Sequence, residues 1–117
     1  MVGEYIGSPR SPLFESFGRY FLVECKNWDA KVGAPELRVF DHKLDEYRVP
    51  LGIYFARNGI TGPDPSRDAR GVVLGAQHRG ERTVLVITLE HINMVVEGVN
   101  LHSLLDEFAD RLRFNLP

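Results

Sequence analysis

Three short apolar runs that do not alternate constrain this chain most: residues 20–23, 51–56 and 83–89, read as YFLV, LGIYFA and TVLVITL. A strand with one face in water alternates apolar with polar residues, whereas a run apolar at successive positions needs both faces covered. Between the runs the apolar residues change period. From residue 35 to 47, Leu37, Phe40, Leu44 and Tyr47 recur at helical spacing, with Pro35 suited to a first helical turn. Ala69, Val72, Val73 and Ala76 mark a second helix, predicted to open near Asp64 or Ser66 and to stop at Gly80. Strand, helix, strand, helix, strand with connections of a few residues demands crossovers, and so a mostly parallel sheet covered by helices. A short helix through Val95 and Val96, stopping at Gly98, and a closing helix bearing Leu101, Leu104, Leu105, Phe108 and Leu112 complete an α/β pattern.

At 117 residues the chain suits one domain spanning 1–117, large enough to fold without a covalent or metal staple. Its single cysteine, Cys25, excludes an intramolecular disulfide and a cysteine-based zinc site. The N-terminus lacks a signal-peptide pattern, and no apolar run approaches the roughly 20 residues of a bilayer span. A cytoplasmic, folded protein with no membrane contact is the expectation. A net charge of -2 makes no global case for nucleic acid, so any such partner has to be argued from local residues. The first 18 residues are rich in Gly, Pro and Ser, and within them only Glu4-Tyr5-Ile6 has the makings of a strand.

The run over residues 19–26 reads as a central strand, apolar on both faces until its last three positions. Alternation sends Tyr20, Leu22, Glu24 and Lys26 to one face and Phe21, Val23 and Cys25 to the other. Holding a carboxylate and an ammonium at the end of such a strand carries a desolvation cost, and the C-terminal ends of strands are where open α/β sheets bind ligands. The chemistry that uses this pair is phosphodiester hydrolysis: Glu24 holds Mg²⁺, joined by the backbone carbonyl of Cys25, and Lys26 positions the attacking water. The plainer reading is a solvated ion pair at the sheet rim, worth about 0–1 kcal/mol.

The run Phe21-Leu22-Val23-Glu24-Cys25-Lys26-Asn27-Trp28, then Val32-Gly33 and a helix carrying Glu36, Leu37 and Phe40, resembles the catalytic strand and following helix of the PD-(D/E)xK restriction endonuclease-like superfamily, especially its Mrr-like branch. Asn58-Gly59-Ile60-Thr61-Gly62 and Asp68-Ala69-Arg70 resemble the loop and helix after that superfamily's next strand. The likeness runs from about residue 4 to 114. It implies a three-layer α/β/α fold with a central mixed, mostly parallel sheet, and Mg²⁺-dependent cleavage of DNA, with Mn²⁺ as a substitute, in restriction or defence. It implies Glu24 and Lys26 as catalytic residues. The pattern also calls for an earlier acid, for which Glu4 is the nearby candidate, Glu15 being too close to the turn at Gly18. Otherwise that acid belongs to a missing N-terminal region or partner domain, or the site is degenerate and the fold serves nucleic-acid binding or self-association. A homodimer is expected, since two-fold symmetry addresses both strands of a duplex. A third possibility is a protein-interaction domain in which the pair is only a surface salt bridge.

Other residues have plainer readings. Trp28 suits rim packing, Asn27 and Asn58-Gly59 suit turns, and Glu36 in a first helical turn is what the helix dipole favours. Thr61 lies among glycines that offer N–H groups to a phosphate, as turns also do. His42, His78, His91 and His102 lack metal-ligand spacing and read as surface residues, and Arg57, Arg67, Arg70 and Arg79 as a scattered, solvated rim.

Overall fold

Residue 22 is where the sheet begins to be sealed. Leu22 leaves β2 (Tyr20–Lys26) on the face covered by α1 (Ala34–Tyr47) and is buried with Leu37, Phe40 and Leu44 of that helix. The structure, a computed structural model, describes residues 2–4, 17–64, 66–79 and 82–114. β1 (Val2–Glu4) pairs antiparallel with β2, setting Glu4 opposite Tyr20 and Val2 opposite Leu22. β3 (Leu51–Ala56) pairs parallel with β2, and β4 (Thr83–Ile87) parallel with β3, giving a mixed four-stranded sheet in the order β1-β2-β3-β4. Of the short strand expected at residues 4–6, Glu4 is seen, in a strand described over 2–4; Tyr5, Ile6 and Glu15 fall outside the described residues.

α1 and α2 (Ala69–His78) share one face of the sheet, where Leu22, Tyr54 and Val84 meet Leu37, Phe40, Ala69 and Val73. Gly52 on β3 lets α1 come close: a Cβ there would stand 2.5 Å from Phe40 Cε2 and 3.0 Å from Leu44 Cδ1. α1 ends at Arg48, whose left-handed backbone (φ 56) turns its N–H onto the carbonyls of Leu44 and Asp45. The opposite face carries Leu51, Leu85 and Ile87, covered by Leu105 and Phe108 of α4 (Leu101–Arg113). Helices thus lie on both sides of the sheet. Among the described residues no helix is long and apolar enough to cross a membrane.

Two elements differ from expectation. α2 opens at Ala69 rather than near Asp64 or Ser66, because Asp64 organises a turn instead. Its Oδ1 accepts from the N–H and hydroxyl of Ser66, its Oδ2 accepts from Arg67 Nε, and its own N–H donates to Asp68 Oδ2. These local bonds offer the backbone an alternative to a helical turn. The predicted stop at Gly80 lies outside the described residues. α3 (Leu89–Val96) opens on a capping box in which the Thr88 hydroxyl accepts from the His91 N–H and His91 Nδ1 accepts from the Thr88 N–H. His91 is therefore half-buried and structural, not the surface residue expected. Gly98, with φ +113, supplies the left-handed turn after α3.

Candidate functional site

Strand periodicity brings Glu24 and Lys26 onto one face at the C-terminal end of β2, with Lys26 Nζ 3.4 Å from Glu24 Oε1. Lys43 of α1 reaches the same oxygen at 3.9 Å, so one carboxylate oxygen faces two ammonium groups. The Glu24 side chain is 25% exposed and that of Lys26 29%. This is neither the free solvent of a rim salt bridge nor a dry interior. The Lys26 ammonium also lies 5.4 Å from the centre of the Trp28 ring, which gives that half-exposed aromatic a cation to flank. Cys25 stands between the two charged residues with an exposed side chain on the other face.

The loops after β2 and β3 frame the pair, and they are tied together. The Val32 N–H donates to the Gly59 carbonyl at 3.0 Å, and the Thr61 N–H to the Val32 carbonyl at 2.9 Å. Asn58 Nδ2 donates to the carbonyls of Trp28 and Asp29, and Arg57 pairs with Asp29 at 3.2 Å. Asn58 is thus a clamp between loops as well as a turn residue. Thr61 has a structural task of its own, since its Oγ1 accepts from the Ala69 N–H at 2.8 Å and so caps α2 from a distance.

Ladder register adds a residue from the neighbouring strand. Glu24 is the direct neighbour of Tyr54 on β3. Tyr54 is fully buried, packs its ring edge-on against Phe40 at 5.0 Å, and its hydroxyl has no hydrogen-bond partner among the described residues. Burial pushes that hydroxyl up to about 12, and the nearby charges of Glu24 and then Glu36 push in the same direction. Glu36, read from the sequence as a helix-dipole residue, therefore shares an electrostatic environment with Glu24. On α1, Glu36, Phe40 and Lys43 sit at i, i+4 and i+7, so one helix stripe brings an acid, a ring and a base over the strand end.

Glu4 is not brought to this place. It pairs with Tyr20, four residues before Glu24 on β2, which is about 13 Å along the strand. Among the described residues no group of three or more His, Cys, Asp or Glu side chains is arranged to hold a metal. The oxygen donors that the strand end offers are the Glu24 carboxylate and the Cys25 carbonyl, hard ligands of the kind Mg²⁺ takes when most of its shell is water. No protein-family profile, curated protein or solved structure matches the chain.

Proposed function

We propose that this domain is the catalytic part of a restriction endonuclease-like, Mg²⁺-dependent DNA endonuclease of the restriction or defence type, with Glu24 as cation ligand and Lys26 as the residue that orients the attacking water. The observation that carries the reading is the Glu24–Lys26 pair, side by side on one face at the ligand-binding end of an interior parallel strand. Helices on both faces of a mixed, mostly parallel sheet support the three-layer fold that goes with it. A bound divalent cation supplies charge neutralisation at the phosphate and a more acidic water. The chain's own residues do the rest. Glu24 and the Cys25 carbonyl between the charged positions provide oxygen ligands. Lys26 Nζ holds the water and offsets charge on the phosphate oxygens, and Lys43 adds a second cation for the DNA backbone. The register sets the Glu4 backbone opposite Tyr20, about 13 Å along the strand from Glu24, so a further acid, where the chemistry needs one, is better supplied by an N-terminal region or partner domain.

The test is Mn²⁺-dependent nicking of plasmid DNA by the protein and by Glu24→Ala and Lys26→Ala. Each substitution should lower the rate about 100-fold or more, as expected when a group that stabilises the transition state by several kcal/mol is removed. Cleavage that persists in both variants would sink the proposal.

A second reading, a nuclease-fold module used for nucleic-acid binding or self-association, is favoured by the other face of the sheet. α3 buries none of its residues, and Val96 is 79% exposed. DNA binding that ignores Mn²⁺ and Glu24→Ala, together with a homodimer in sedimentation, is the outcome that selects it.

A further inference from the structure

An aromatic side chain left partly in water forgoes much of the burial that an aromatic contributes to a fold, and holding a loop rigid around it adds the cost of ordering that loop. Both conditions meet at Trp28, the single tryptophan of the chain. It stands two residues beyond the end of β2, is 41% exposed, and belongs to neither of the two core clusters, so core packing does not account for its place. Tyr20 and Tyr47 are exposed as well, but they lie at the opposite end of the strands, where β2 begins and where α1 runs out before β3.

The loop that carries this ring is clamped. Asn58 Nδ2 donates to the Trp28 carbonyl at 3.2 Å and to the Asp29 carbonyl at 2.7 Å, Arg57 pairs with Asp29 at 3.2 Å, and the Val32 N–H is tied to the Gly59 carbonyl. A ring held in this way is ordered before anything binds, so a partner has little ordering cost left to meet. Ammonium groups stand beside it. Lys26 Nζ lies 5.4 Å from the ring centre, and Lys43 reaches the Glu24 oxygen that Lys26 also faces. An exposed flat ring next to ammonium groups matches a nucleotide, whose base stacks on the ring while its phosphate meets the positive charge.

We propose that Trp28 is the stacking platform for an unpaired nucleobase next to the Glu24–Lys26 pair, so that the domain takes single-stranded or locally opened DNA in preference to intact duplex. The inference rests on the nuclease reading above and narrows its substrate. Inside a duplex each base already has both faces against its neighbours, so a protein ring reaches a base face only where the base is splayed out, flipped or single-stranded. Because the Lys26 ammonium faces both the Glu24 carboxylate and the ring, a base stacked there brings its adjoining phosphate toward the pair.

A single tryptophan makes the test direct. The whole chain is titrated with a short thymidine oligonucleotide and with a duplex of the same length, in EDTA and again in Ca²⁺, so that binding is read apart from cleavage. Trp28 fluorescence is followed together with the anisotropy of a dye on the DNA. The fluorescence should be quenched in step with single-strand binding and left unchanged by the duplex. Trp28→Leu, which keeps apolar bulk without an aromatic face, should bind the single strand about tenfold more weakly, and Trp28→Phe should recover most of that loss. Duplex binding should be the same in all three proteins. Single-strand binding that leaves Trp28 fluorescence unchanged, or that is as tight in Trp28→Leu as in wild type, overturns the platform while leaving the Glu24–Lys26 site to be judged by the nicking assay. Quenching by duplex as strong as by single strand overturns the preference for unpaired DNA. A protein that binds neither DNA in either buffer overturns the platform and the DNA reading together.

Discussion

Under α1 the sheet is closed: Leu37, Leu44 and Tyr54 expose no surface, and Gly52 is needed to let Phe40 and Leu44 approach the strand. Under α4 and α3 it is not. A groove of about 540 Å³ lies there among Phe21, Val23, Ile53, Ile87 and Leu105, and α3 beside it is apolar yet buries no residue. The chain has therefore set its charged strand end against the sealed face and left an open, mostly apolar groove on the other. Charges are cheapest where water reaches them, so a half-sheltered Glu24 beside a sealed core is a placement that stability alone does not favour. The open apolar face has the opposite character, comfortable for association and unsuited to holding ions.

Truncation should separate the two faces most clearly. Phe40→Ala removes a ring that is 1% exposed and holds Tyr54, and should destabilise the fold by about 3–5 kcal/mol. Val23→Ala, at the groove on the other face, should cost about 1 kcal/mol or less, since less apolar surface leaves a protein environment. Urea denaturation measures both. Similar losses would mean that the groove is filled in solution, and a concentration-dependent loss for Val23→Ala would identify a second copy of the chain as what fills it.

Adding a single methyl sharpens the contrast in a smaller step. In Gly52→Ala the new Cβ meets the Phe40 ring at 2.5 and 2.8 Å, so α1 must move outward or Phe40 must leave its rotamer. Overpacking of this kind costs about 1–3 kcal/mol. The displacement should also shift Lys43, which α1 brings to Glu24, so Mn²⁺ affinity should change along with stability, although the substitution touches neither residue. Unchanged affinity in a destabilised Gly52→Ala protein would show that the site does not depend on how closely α1 sits.

The contrast between the faces also marks what could be read from the chain. The Glu24–Lys26 pairing followed from a period of two along seven residues, and β3 and α1 followed from unbroken apolarity and from Pro35 with Leu37, Phe40 and Leu44. These are signals carried within one element. Tyr54 was not legible as the neighbour of Glu24, because that relation depends on the register between β2 and β3. A tyrosine in a strand buried on both faces was the available hint, since a buried phenol always raises the question of its partner. The place of the Glu4 backbone was hidden for the same kind of reason: proximity in sequence says nothing of the antiparallel register that sets it opposite Tyr20. The late start of α2 came from side-chain bonding within Asp64–Asp68, where local turn chemistry defeats a helical apolar pattern.

The smallest expected effect is a pH dependence at the start of α3, next to the open face. His91 closes the capping box through Nδ1, which must be unprotonated to accept from the Thr88 N–H at 3.0 Å. Burial holds the His91 pKa below its usual value, outweighing the opposite pull of Glu90, and the Phe108 ring at 4.8 Å helps to shelter it. With the folded pKa depressed, the unfolded chain binds the proton more readily. The stabilising contribution is therefore complete above the ordinary histidine value of about 6.5 and is lost as pH falls through the folded pKa. The group is only partly buried, so the result should be a gentle slope in stability and fraying of α3, not acid collapse. In His91→Gln the side chain can still accept from the Thr88 N–H but does not titrate, so the protein should keep its neutral-pH stability and lose this slope. Thermal melts across the acid range, with amide exchange at residues 89–96, measure it. A slope that survives in His91→Gln would assign the titration to another group and leave α3 anchored independently of pH.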